Sequence, residues 1–181
     1  VKSLCTRGIV LEHGRLKYDG SALNAIEHYL NEFAALKNSI SFNDLNEAPG
    51  NDSLRVKSLE IRPLQGNTLN IDSGVKFSLV IFNYKPNINL DVTFELLTHD
   101  EIIVFNSGCI ITSDKNSRKG YYSVEGNIPP FILNAGSYKL NLIFGESQRY
   151  LLLKMKDVLS FEIENTPTGK GSNSAVFPGV L

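Results

Sequence analysis

Between residues 55 and 164 the apolar positions recur at every second residue. Val92, Phe94 and Leu96 alternate with Asp91, Thr93 and Glu95. Tyr138, Leu140, Leu142 and Phe144 oppose Lys139 and Asn141, and Tyr122, Val124 and Ile128 oppose Tyr121, Ser123, Glu125 and Asn127. A period of two places one side of a strand in a core and leaves the other to water or a ligand. The pattern predicts strands at Arg55–Arg62, Val75–Tyr84, Asp91–Thr98, Glu101–Phe105, Tyr121–Ile128, Ser137–Phe144 and Val158–Glu164. Each is rich in β-branched or aromatic residues and bounded by Gly, Pro, Asn or Asp. Short strands at this turn-punctuated spacing imply an all-β chain, an antiparallel immunoglobulin-like or jelly-roll β-sandwich. The stretch Phe77–Phe82 is apolar on both sides and is expected to be covered on both.

The ends follow other rules. In residues 1–34, Gly8-Ile9-Val10-Leu11-Glu12 and Arg15-Leu16-Lys17-Tyr18 flank His13-Gly14, the signature of a tight hairpin. Ser21 stands after Asp19-Gly20 where a helix N-cap belongs. Ala22, Ile26, Tyr29, Leu30 and Phe33 then recur at three- and four-residue spacing, one apolar stripe on a helix. A short hairpin and one amphipathic helix cannot bury themselves, so this region needs a partner surface. Residues 35–54 are polar and read as a linker with little structure of its own. The sandwich domain spans 55–181. It closes with a polar stretch, 165–174, and an apolar strand-like tail, Ala175–Leu181, of a kind that docks on a sheet.

Composition narrows the chemistry. The 181 residues are 42 % apolar and carry a formal net charge of −1, which leaves no electrostatic footprint for nucleic acid. No apolar run reaches the length of a membrane span. The chain starts without Met and reads as a fragment or trimmed piece. Cys5 and Cys109 are expected as reduced thiols of a cytosolic protein. With His13, His28 and His99 they offer no zinc-ligand spacing, so neither metal nor cofactor is expected. Lys170 in Thr168-Gly169-Lys170-Gly171-Ser172 fails the phosphate-loop pattern: position 164 is Glu and Gly171 separates Lys170 from Ser172. Glu95, Asp100 and Glu101 could suggest a glycosidase pair, but Asp100-Glu101 falls between two strands as a solvated turn. No catalytic residues are assigned.

The outward positions remain. If neighbouring strands align, Thr93, Glu95, Tyr121, Ser123, Glu125, Asn127, Lys139 and Asn141 share one surface. An aromatic face against sugar C–H groups, with short polar side chains for hydroxyl pairs, is the composition of a glycan site.

The first thirty residues, Leu4-Cys5-Thr6-Arg7-Gly8-Ile9-Val10-Leu11-Glu12-His13-Gly14-Arg15-Leu16-Lys17-Tyr18-Asp19-Gly20 and the helix start Ser21-Ala22-Leu23-Asn24-Ala25-Ile26-Glu27-His28-Tyr29, resemble the end of an ABC transporter ATPase domain, of the polysaccharide-exporter subtype. The remainder is similar to the Wzt-type carbohydrate-binding domain, at Pro49–Ile61, Ile103–Ser107, Leu133–Leu142 and Gly171–Pro178. The resemblance implies a non-catalytic cytoplasmic module, peripheral to the inner membrane. It would bind the non-reducing end of O-antigen-type polysaccharide and couple chain completion to export. It also implies a homodimer with an exchanged terminal strand and a membrane permease reached through the ATPase domain. The phosphate loop, signature motif and switch histidine of that ATPase are absent from this chain, so it is not expected to hydrolyse ATP. The rival reading is a ligand-free module that dimerises and regulates the ATPase.

Overall fold

A computed structural model describes residues 5–12, 15–26 and 38–165. The chain divides into two compact units, Val1–Ala35 and Leu36–Leu181. The turn His13-Gly14, the helix positions Tyr29, Leu30 and Phe33, Lys170 and the tail Ala175–Leu181 lie outside the described residues.

In the first unit, β1 (Arg7–Glu12) pairs antiparallel with β2 (Arg15–Ser21). The Arg7 guanidinium grips the Asp19 carboxylate through two nitrogens at 2.7 and 2.5 Å. Ser21 caps the helical stretch that starts at 22 as its sequence position implies, its Oγ accepting the Asn24 amide at 3.2 Å. A β-carbon at Gly8 would come within 2.4 Å of the Ala25 methyl, so the helix start lies directly on the strand. Ile9, Leu11, Leu16 and Leu23 are exposed.

The second unit is a sandwich of two antiparallel four-stranded sheets. One has the order β10-β9-β6-β7 and the other β3-β4-β5-β8. Their strands are β3 (Ser39–Ser41), β4 (Leu54–Pro63), β5 (Val75–Asn83), β6 (Leu90–Thr98), β7 (Ile103–Ile110), β8 (Gly120–Ile128), β9 (Gly136–Glu146) and β10 (Tyr150–Ile163). The alternation predicted from sequence is realised: Val92, Phe94 and Leu96 meet Tyr138, Leu140, Leu142 and Phe144 from the next strand, all turned toward Leu79, Ile81 and Phe77 of the facing sheet. Aromatic rings bridge the layers. Tyr138 stacks on Phe161 at 5.7 Å between centroids, Phe161 meets the Phe77 edge at 6.3 Å, and Phe77 lies 5.9 Å from Phe94. The buried Tyr138 hydroxyl donates to the Asn134 carbonyl at 2.7 Å, tying the entry of β9 to the loop before it.

Four expectations need correction. Residues 38–53 are not an unstructured linker: β3 adds to the edge of β4, the Phe42 amide donates to the Lys57 carbonyl at 3.0 Å, and the Lys57 ammonium reaches back to the Phe42 and Asn43 carbonyls. Asn51 closes an Asx turn onto the Ser53 and Leu54 amides, while its own amide donates to the Leu152 carbonyl at 2.9 Å and joins the two sheets. Polar side chains thus make the hydrogen bonds that a strand ladder would otherwise supply. Next, β10 begins eight residues before the predicted Val158, because bulges between Leu151 and Leu153 and between Met155 and Leu159 destroy the alternation there. β7 runs on through Asn106-Ser107-Gly108-Cys109 beyond the predicted Phe105 and starts after the turn residue Glu101. Lastly, β5 is buried on its inner side, but Ser78, Val80 and Phe82 on its outer side are half-buried, covered by neighbouring side chains.

The bridging rings should carry much of the stability. Phe161→Ala, which empties a fully buried site, is expected to cost about 3–5 kcal/mol. Tyr138→Phe, which removes one buried hydrogen bond and little volume, should cost about 1 kcal/mol. Urea unfolding of the two variants checks the ratio, and equal losses would show that the hydroxyl rather than the ring layer dominates.

Candidate functional site

The predicted site residues do not form one surface. β6 pairs with β9, bringing Glu95 opposite Asn141, Leu97 opposite Lys139 and Thr93 opposite Ile143. Thr93, Glu95, Lys139 and Asn141 therefore share the outer face of the β10-β9-β6-β7 sheet. β8 pairs with β5 instead, setting Phe82 opposite Tyr121, Val80 opposite Ser123, Ser78 opposite Glu125 and Lys76 opposite Asn127. Tyr121, Ser123, Glu125 and Asn127 thus lie on the outer face of the other sheet. The split arises because the chain crosses between layers from Ile128 to Gly136, so strands that follow one another in sequence are not neighbours in a sheet.

On the first face, Glu95 and Asn141 are 8 % and 4 % exposed although no second layer covers them among the described residues. Asn141 Nδ2 donates to Glu95 Oε2 at 2.6 Å, and its Oδ1 accepts the Asp157 amide at 2.8 Å. Lys154 Nζ stands 3.8 Å from the same Glu95 oxygen, and Lys139 Nζ 4.0 Å from Asp157 Oδ1. Asp157, at φ 49°, lies in the second bulge of β10. This network satisfies its own members and pins the bulge, which is a framework role.

Thr93 faces something different. Beside it opens a shallow hollow of about 260 Å³, bounded by Asp91, Ile143, Gly145, Gln148, Arg149, Tyr150 and Leu151. The turn between β9 and β10 makes its rim. Ser147 and Gln148 have φ of 57° and 55°, successive left-handed residues as in a type I′ hairpin. Neither is glycine, so the turn must be held from outside. The Ser147 amide donates to the Asn89 carbonyl at 2.8 Å, and the Gln148 amide donates to Asp91 Oδ2 at 2.7 Å. Asp91 is buried over Gly145, where a β-carbon would fall 2.5 Å from Asp91 Oδ1. Glycine at 145 thus makes room for the carboxylate that fixes the rim. The rim presents Tyr150, 67 % exposed, beside the exposed Gln148 and Arg149. An open aromatic ring next to amide, guanidinium and hydroxyl groups over an apolar wall can engage a pyranose on its C–H face and its hydroxyls together. Of the predicted residues only Thr93 belongs to this hollow. Gln148, Arg149, Tyr150 and Leu151 were missed because the bulged start of β10 carries no periodic signal.

On the opposite face, Phe82 lies 4.8 Å from Tyr84 and 4.9 Å from Tyr121, and Lys119 Nζ stands 5.5 Å above the Tyr84 ring. Lys76 pairs with Glu125 at 2.8 Å, and the hydrogen bond with its charge holds the Glu125 carboxyl below its ordinary range. This surface is an aromatic ridge. Among the described residues, no group of three or more His, Cys, Asp or Glu could hold a metal ion.

Asp91→Ala should leave the Gln148 amide without its acceptor and release the left-handed turn. The expected loss is about 1–2 kcal/mol, with faster amide hydrogen exchange confined to residues 147–149. Unchanged exchange there would mean the turn holds itself.

No protein-family model matches the sequence, and no curated protein matches it. Among solved structures, the chain is similar to the crystal structure of the C-terminal domain of wzt, with a TM-score of 0.54 and 14 % sequence identity, over 65 % of this chain and 77 % of that one. The sandwich therefore has the fold that the sequence resemblance implied.

Proposed function

We propose that this sandwich is the non-catalytic glycan-recognition module of a polysaccharide ABC exporter, and that the hollow beside Thr93 is where it holds the glycan. The observation that carries the reading is the turn braced by Asp91, which fixes the Gln148 backbone at the rim of a hollow that Arg149 and Tyr150 also line. A rim built at the cost of two left-handed non-glycine residues is a preorganised surface, and preorganisation lowers the entropic cost of binding. The shared fold and the ATPase-like residues 4–29 support the exporter context. In that context the ligand is the non-reducing end of O-antigen-type polysaccharide, met on the cytoplasmic side, and a membrane permease is reached through the ATPase domain.

Catalysis fits the carboxylates poorly. A glycosidase needs an acid and a second carboxylate facing each other across the scissile bond. Glu95 is committed to Asn141 and Lys154, Glu125 is paired with Lys76, and Asp100 and Glu101 are exposed in the β6–β7 turn.

The test is titration with O-polysaccharide from the source strain, followed by amide shifts, with a foreign O-polysaccharide as control. Saturable shifts at Thr93 and 148–151 are expected with the native glycan alone, and Tyr150→Ala should weaken binding about tenfold. Shifts centred on Tyr84 and Tyr121 would move the site to the other sheet. No shift at millimolar chain ends would leave the ligand-free regulatory module as the better reading.

A further inference from the structure

The hollow beside Thr93 is walled on two sides and low on a third. The rim Gln148–Leu151 stands on the β10 side. At the next outward position along β6 and β9 come Glu95 and Asn141, bonded to each other and approached by Lys154, so side chains fill the face there. Toward β7 the surface falls away. The outward residues of β7 are Asn106, Gly108 and Ile110, opposite Glu95, Thr93 and Asp91. Among the described residues all three are exposed. Gly108 pairs with Thr93 in regular register and has no positive φ, so the backbone does not call for glycine there. What glycine supplies is space. A β-carbon at 108 would fall 3.1 Å from Thr93 Oγ1 and stand in the line that leads from the hollow across the sheet. From Ile143 over Thr93 to Gly108 that line crosses two strand spacings, about 10 Å, the length of two linked sugar rings.

We propose that the glycan site is longer than the hollow: one sugar sits against the rim, and the sugar linked to it lies over Gly108, between Ile110 and Asn106. The inference rests on the glycan reading of the hollow and extends the ligand from a single terminal residue to a linked pair. Ile110 offers apolar surface to ring C–H groups, and the Asn106 amide offers a donor and an acceptor to neighbouring hydroxyls. Thr93 Oγ1, at the brink of Gly108, stands where the two sugars join. From Ile102 to Thr112 the chain carries no charged side chain, so the second sugar is read through its hydroxyls and not through an acidic group. The surface used is the outer face of β7 and not its edge.

The test titrates the full chain with fragments of the source strain's O-polysaccharide, one, two and three residues long, each keeping the native non-reducing end, and follows amide shifts. The one-residue fragment should move Thr93 and 148–151. The two-residue fragment should also move Asn106, Gly108 and Ile110 and bind about tenfold tighter, and a third residue should add little. Gly108→Val raises a branched side chain on the low side and should remove the tenfold gain without changing the melting temperature. Asn106→Ala, at an exposed position, should cut the gain to about threefold, and it reads the same contact if Gly108→Val does not fold. Shifts at 148–151 that never reach 106–110, or an affinity that does not grow with the second residue, would overturn the longer site and leave the glycan reading of the hollow standing. No shift with any fragment would overturn both.

Discussion

The pairing of β6 with β9 places everything else. It runs through nine consecutive residue pairs, from Leu90 opposite Glu146 to Thr98 opposite Tyr138, without a bulge. Because side chains alternate, that register puts Val92, Phe94 and Leu96 into the core with Phe144, Leu142 and Leu140, and turns Asp91, Thr93 and Glu95 outward beside Gly145, Ile143 and Asn141. A slip of one residue would exchange the two sets, burying three polar side chains among the aromatic rings and exposing the core. The core therefore enforces the register, and the register builds the outer face. Stability and the candidate site are two sides of one ladder.

Asp91 shows how closely the two are joined. Its buried carboxylate sits where Gly145 leaves room and accepts the Gln148 amide, so a group on the central strand determines the shape of a turn on the neighbouring hairpin. The cost of burying an acceptor is offset by the hydrogen bond it receives. Glu95 acts in the same way two outward positions along the strand, through Asn141 to the backbone of Asp157 and so to the bulge of β10. The outward polar residues of β6 thus spend most of their hydrogen-bonding capacity on shaping β10. Thr93, between them, faces the open hollow.

This division explains what could be read from the chain alone. The inner positions of β4, β5, β6, β8 and β9 were legible because burial on one side imposes strict alternation. The fold class followed from them. Which strands pair was not legible, since alternation says which side a residue faces and nothing about which sheet the strand joins. That is why alternation alone groups Tyr121, Ser123, Glu125 and Asn127 with residues that lie on the other layer. The first half of β10 was hidden for a different reason. Leu151-Leu152-Leu153-Lys154-Met155-Lys156 has no period of two because bulges shift the facing residue, and the bulges are set by contacts from strands distant in sequence. The rim residues Gln148, Arg149 and Tyr150 were lost with it. Non-glycine residues at positive φ give no local signal, and only the distant Asp91 and Asn89 reveal why they can be there.

Two faces compete as ligand surfaces, and their chemistry separates them. The ridge of Phe82, Tyr84 and Tyr121 has three rings, with Lys119 over Tyr84, a Lys76–Glu125 ion pair, and the exposed Ser123 and Asn127 on the same face. A sugar stacked there would rest mainly on flat aromatic surface. The hollow has one exposed ring, but that ring stands on a braced turn beside Gln148, Arg149 and Thr93. Selectivity among glycans comes from hydroxyl geometry, which flat stacking reads weakly and placed hydrogen-bonding groups read well. Under the proposed function, telling one chain end from another calls for the second kind of surface, and the hollow sets an open ring on a braced turn beside Gln148, Arg149 and Thr93.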